Sequence, residues 1–157
     1  MGRVVLDASV ILALFDPHDA LHDSSVEKVR QHRNAGATFV MPASVLAEIL
    51  VGAARRGDDE LNNRRAQAIA AFGKPVPLDE DVAVTAAKLR ASHRSLRLPD
   101  AIVLATASTT EAETVLAGDK KWKHIDPRVE LAVAQVTSDE QTSNPETEAD
   151  EQPQPPT

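Results

Sequence analysis

The chain has 157 residues, enough for one core of ordinary size, and its 42% apolar content is that of a soluble globular domain. Its formal net charge is -7, but six of its 24 acids (Asp139, Glu140, Glu146, Glu148, Asp150, Glu151) fall in residues 137 to 157, where there is no Lys or Arg, leaving 18 acids against 17 bases over residues 1 to 136. The total charge therefore excludes no polyanionic partner, which would meet local patches, while the absence of Cys excludes disulfides, thiolate metal sites and a Cys nucleophile.

In chain order, Arg3 to Leu6 reads as a short buried strand that ends abruptly at Asp7. Ser9 is positioned to N-cap a helix through Val10, Ile11, Leu12, Leu14 and Phe15, which stops near Asp16-Pro17 because the residue before a proline is pushed out of helical geometry. The apolar stretch from Val4 to Phe15 is interrupted by Asp7 and too short to cross a bilayer, and no basic segment with a cleavage site precedes it. Leu6 stands where a myristoylation signal needs Ser or Thr. The expectation is a cytoplasmic protein with no membrane partner.

A second amphipathic helix is predicted over about Leu21 to Asn34, with Leu21, Val26 and Val29 inward, ending at Ala35-Gly36. Thr38 to Met41 reads as a second strand closed by Pro42. From Ala43, the spacing of Val45, Leu46, Ile49, Leu50 and Ala53 predicts a helix that carries Glu48 on the flank of its apolar face, beside the core. Asp58 to Phe72 forms a further helix, Pro75 to Leu78 a short extended segment, and Asp79 caps a helix running to about His93. Leu98-Pro99-Asp100 opens a helix that is apolar nearly all round, the pattern of a buried one. Thr114 to Ala117 is a third strand, followed at once by Gly118-Asp119, and Leu131 to Val136 a last one. From Thr137 on, Ser, Thr, Gln, Pro and acids replace every large apolar residue, and such a segment cannot bury enough surface to offset its ordering entropy. The expected organisation is one domain over 1–136 and a disordered acidic tail over 137–157. The alternation of strands and helices implies a three-layer α/β fold with a central, mostly parallel sheet flanked by helices.

On that scaffold four acids occupy special places: Asp7 and Asp119 just after buried strands, Glu48 and Asp100 near the openings of apolar helices. Each alone is explained as a helix cap or a complement to the helix dipole. Together they are costly, since a like-charged pair ~4 Å apart costs about 1 kcal/mol at the dielectric of water and about 4 kcal/mol at an effective constant of 20. The natural compensator is a hard divalent cation. Carboxylates suit Mg²⁺ or Mn²⁺, and such an ion lowers the pKa of bound water and stabilises charge on a phosphoryl oxygen.

The motifs Asp7-Ala8-Ser9 after the first strand, Glu48 within Ser44 to Gly52, Leu98-Pro99-Asp100-Ala101, and Asp119-Lys120-Lys121-Trp122 resemble those of the PIN-domain ribonucleases, and more narrowly the VapC toxins of bacterial toxin-antitoxin pairs. Their order and spacing cover nearly all of residues 1 to 136. The resemblance implies a PIN-like fold and a Mg²⁺- or Mn²⁺-dependent endoribonuclease. In it Asp7, Glu48, Asp100 and Asp119 form an acidic metal-binding and catalytic quartet, and Ser9 assists through its hydroxyl. It also implies an RNA substrate, a homodimer, and a cognate antitoxin that blocks the site. The chain departs from the family in one place: Ala117 stands where the family carries Thr or Ser two residues before the last acid, which removes a hydroxyl that could bond an acid or water.

The basic residues fall in groups: Arg55-Arg56, Arg64-Arg65, Lys88 with Arg90, Arg94 and Arg97, and Lys120-Lys121 with Lys123. Of these, Lys120 and Lys121 adjoin a motif acid and are the first candidates for phosphate contacts, the others reading as solvated faces. With three Phe, one Trp and no Tyr, extensive base stacking is disfavoured and shape or backbone reading of RNA is favoured. His18, Asp19, His22 and Asp23 read as a polar helix start rather than a metal site. The alternative to catalysis is a PIN-like binding module whose acidic pocket holds a cation or a partner's basic side chain, with Ala117 as its main support.

Overall fold

The computed structural model describes residues 2–134. In chain order the elements are β1 (Arg3–Leu6), α1 (Ala8–Phe15), α2 (His22–Asn34), β2 (Thr38–Val40), α3 (Ala43–Ala54), α4 (Asp58–Phe72), α5 (Glu80–Ser92), α6 (Leu98–Thr109), β3 (Thr114–Ala117) and β4 (Val129–Leu131), with a 3₁₀ turn over Lys120–His124. The strands form one sheet in the order β2-β1-β3-β4, and every pairing is parallel. Val5 lies opposite Val40 on one side and Val115 on the other. Six helices flank this sheet among the described residues, giving the three-layer α/β architecture expected from the alternation of elements.

The two central strands show why the sheet is covered on both faces. Val4, Val5 and Leu6 of β1 and Val115, Leu116 and Ala117 of β3 are all buried, with no alternation between inside and outside. Around them α1 packs on α2, α3 and β3, while α6 packs on α5, α3 and β1. Helix α6 is buried along most of its length, from Asp100 to Ala107 with Ile102 half-covered, as its all-round apolar sequence requires, although Leu98 at its opening is exposed. The short extended segment after α4 also forms: the Val76 N–H donates to the Met41 carbonyl and the Ala43 N–H to the Val76 carbonyl, both at 2.8 Å.

The chain leaves β1 to form β2 on one side and returns to form β3 on the other. The carboxyl ends of β1 and β3 therefore flank a topological switch point, where the connections diverge and leave a crevice.

Four expectations are corrected. The cap of α1 is Asp7, not Ser9: Asp7 has extended backbone and its carboxylate accepts the Ser9 N–H, so the helix starts two residues earlier, at Ala8. Val26 is 41% exposed, because the buried stripe of α2 runs through Ser25 and Val29, and Val26 lies about 100° round the helix from Ser25. The last strand is Val129–Leu131 rather than Leu131 to Val136. Its partner β3 is only four residues long and sets the register by pairing Val115 with Val129, and the last hydrogen bond runs from the Ala132 N–H to the Ala117 carbonyl. Residues 135 and 136, and the segment 137–157 expected to be disordered, lie outside the described residues. Finally, Glu48 is exposed rather than sheltered beside the core: it flanks the buried stripe of Val45 and Ile49 on α3, as the spacing predicts, but the residue opens to solvent.

Candidate active site

The five residues singled out from the sequence, Asp7, Ser9, Glu48, Asp100 and Asp119, line a single cavity of about 260 Å³ at the switch point, together with Leu12, Arg97 and Trp122. They reach it from separate elements: Asp7 from the end of β1, Ser9 from the first turn of α1, Glu48 from α3, Asp100 from the first turn of α6, and Asp119 from the turn after β3. Two of the acids also have local duties, Asp7 as the cap of α1 and Asp119 as the cap of the 3₁₀ turn, where it accepts the Lys121 N–H at 2.9 Å. Asp100 is 8% exposed and sits in the first turn of α6, where the helix dipole favours an anion.

Ser9 ties the cavity together. Released from capping, its hydroxyl donates to Asp7 Oδ2 at 2.5 Å and accepts the Gly118 N–H at 3.0 Å, bridging the ends of β1 and β3. A Cβ at Gly118 would stand 2.7 Å from Leu21 Cδ1 and 3.1 Å from Ser9 Oγ, so the bridge depends on the missing side chain.

The electrostatics are those of crowded carboxylates. Burial pushes the Asp7 carboxyl above its ordinary value, opposed by the hydrogen bonds from Ser9 and the Ala8 backbone and reinforced by the nearby Asp100 charge. Glu48 is pushed up by desolvation of its carboxyl, then by Asp7 and Asp100, against the opposing pull of Arg97, even though the residue as a whole is exposed.

Arg97, which the sequence groups with solvated basic residues, is the one cation on the cavity wall among the described residues. Its Nε donates to Asp100 Oδ2 at 3.1 Å and its Nη2 to Asp100 Oδ1 at 3.2 Å. The signal that could have found it is its position three residues before Asp100 at a helix opening, a spacing at which side chains meet.

The all-oxygen donor set suits a hard divalent cation in its chemistry. The carboxylates are not gathered into a ready-made cluster, however: no three His, Asp or Glu side chains among the described residues stand close enough to hold a metal together. The Ser9 and Arg97 hydrogen bonds occupy Asp7 and Asp100. The His18 to Asp23 segment is a polar turn and helix start, as read from the sequence: Asp16 accepts the His18 N–H, Asp19 the Leu21 N–H, and His22 Nδ1 donates to the Ala13 carbonyl.

The PIN domain profile matches residues 4–127, which includes all four acids and the switch point. The chain belongs to the PIN domain family. Its sheet order and flanking helices are those of the three-layer PIN fold. Solved structures with this fold include a toxin-antitoxin complex from Klebsiella pneumoniae (22% identity, TM-score 0.64, covering 82% of this chain and 97% of that one). VapBC2 from Rickettsia felis, bound to a DNA fragment from its promoter, is 15% identical with a TM-score of 0.66 over 85% of this chain and 99% of that one. VapC20 from Mycobacterium tuberculosis, described as a Sarcin-Ricin loop cleaving toxin, is 18% identical with a TM-score of 0.61 over 77% and 93%. At these identities the likeness is one of fold. No curated protein matches the sequence. No helix of this PIN domain is long and apolar enough to cross a membrane among the described residues.

Proposed function

We propose that this PIN domain is a Mg²⁺- or Mn²⁺-dependent endoribonuclease, the toxin of a toxin-antitoxin pair, acting as a homodimer and restrained by a cognate antitoxin. The observation that carries the reading is the meeting of Asp7, Glu48, Asp100 and Asp119 at one switch-point cavity in a chain whose family is that of PIN domains. The toxin-antitoxin complexes that share its fold support the partner. Asp7, Asp100, Glu48 and Asp119 would hold the cation. When bound, it would supply a water of lowered pKa and charge stabilisation on a phosphoryl oxygen.

The chain's own residues do the rest. Ser9 fixes Asp7 Oδ2 through its hydroxyl and keeps the strand ends at a set separation. Glu48, exposed and with a raised affinity for protons, is the carboxylate suited to take a proton from the attacking water. Lys120 and Lys121, exposed beside Asp119, provide cations for the RNA backbone that the acidic cavity cannot.

The test is Asp7→Asn. It is expected to fold and to lose metal-dependent RNA cleavage, and parent-level cleavage by the Asn variant with Mg²⁺ or Mn²⁺ present would refute the assignment. The second reading, a binding module, draws on the Arg97 pair with Asp100 and on Ala117. A panel of structured RNAs assayed with Mg²⁺, Mn²⁺ and chelator separates the two: product only with metal supports the nuclease, and no product in any arm supports the binder.

A further inference from the structure

Arg97 closes the loop between α5 and α6 and provides the N-cap backbone of α6, but its side chain does not cap the helix. It turns instead into the acidic cavity and forks over Asp100, one N–H to each carboxylate oxygen. The two partners differ sharply in freedom. The Asp100 side chain is 12% exposed and fixed in the first turn of a buried helix, whereas the Arg97 side chain is 77% exposed. A planar guanidinium matches a carboxylate in two-point geometry, so the pair satisfies the oxygens that a hard cation would otherwise take. Because most of its length is in water, Arg97 can leave at little packing cost, while Asp100 cannot.

Four carboxylates line the cavity without closing into a cluster, and Arg97 is the one positive side chain on its wall among the described residues. Its charge acts on Glu48 and Asp119 as well as Asp100. An incoming doubly charged ion needs the same oxygens and repels the guanidinium, so the two cations compete for one place.

We propose that Arg97 is a built-in counter-cation, a positioning residue that holds Asp100 while the cavity lacks a divalent ion and is displaced when one binds, so that it sets the metal affinity of the site. This rests on the divalent-cation reading of the same cavity, but not on RNA being the substrate or on catalysis.

The test measures Mn²⁺ binding to the full chain without RNA, followed by the loss of the free-ion paramagnetic resonance signal. Folding of each variant is checked by circular dichroism. Arg97→Ala and Arg97→Gln are expected to bind Mn²⁺ about two- to fivefold more tightly than the parent, the range set by an exposed ion pair. Arg94→Ala, which removes an exposed charge from the same loop, leaves the affinity unchanged, and Asp7→Asn weakens it. Unchanged or weaker binding by both Arg97 variants would overturn the proposal, as would an equal gain in Arg94→Ala, which would make the effect one of net charge. If neither the parent nor the Arg97 variants bind Mn²⁺, the proposal and the cation reading fall together. If Mn²⁺ binds as expected but no RNA is cut, the nuclease reading fails and this one stands.

Discussion

Asp7 holds two positions at once, cap of α1 and wall of the cavity, and the second works against stability. Its carboxyl is pushed up by burial, so the folded state pays for the charged form. For an acid raised in this way the penalty is fully present above the folded pKa, shrinks as pH falls toward the unfolded value of 3.8, and is absent below it. Asp7→Asn should therefore raise the melting midpoint of the metal-free protein by about 2–4 °C at neutral pH, and the gain over the parent should vanish as the pH is taken toward 3.8. A constant gain across that range would mean that the charge is not its source. Gly118 gives the opposite prediction. A methyl group there meets Leu21 and Ser9, and Gly118→Ala is expected to cost about 1–3 kcal/mol in a denaturant titration. Both residues stand where a strand end must serve a second purpose.

Among the elements, β4 is as short as β2, three residues each, and side chains help to hold it in place. Glu130 joins it to α2, with Lys28 Nζ at 2.6 Å and His32 Nε2 at 2.7 Å. Burial alone would raise the Glu130 carboxyl, but the bonds from Lys28 and His32 outweigh it and hold the carboxyl below its ordinary value of 4.5. The sign follows: the stabilisation is fully present above pH 4.5 and is lost as pH falls through the lowered folded value. Glu130→Gln should cost about 0.5–1 kcal/mol at neutral pH, with parent and variant converging in acid. The position of β4 is likewise a tertiary property. The apolar run Leu131 to Val136 suggested a strand by composition, whereas the pairing is decided by where β3 begins and by the Asp126 to Arg128 turn that delivers the chain to it. Helices were easier to read, because a capping acid such as Asp79 and a run of apolar spacing lie within one segment; its carboxylate accepts the Val82 N–H as expected.

At the scale of the whole molecule, the cavity exists because the chain crosses from β2 back over β1 to β3. Trp122, 3% exposed, anchors the turn that carries Asp119 to this crevice, and Trp122→Ala should cost about 3–5 kcal/mol by thermal or denaturant unfolding. Deleting residues 137–157 should leave the melting midpoint within about 1 °C of the parent, in line with one domain over 1–136. The sequence by itself determined the alternation of strands and helices, the three-layer class and the special places of the four acids, because periodicity, caps and acids beside apolar runs are local properties of the chain, whereas Ser9 entered through the motif resemblance. The tertiary structure decided that those residues share one cavity, that Ser9 bridges Asp7 to Gly118 rather than capping a helix, that Glu48 faces solvent, and that Arg97 belongs to the site. Each of these depends on how distant strand ends and helix openings are brought together by parallel pairing, and no window of sequence contains that distance.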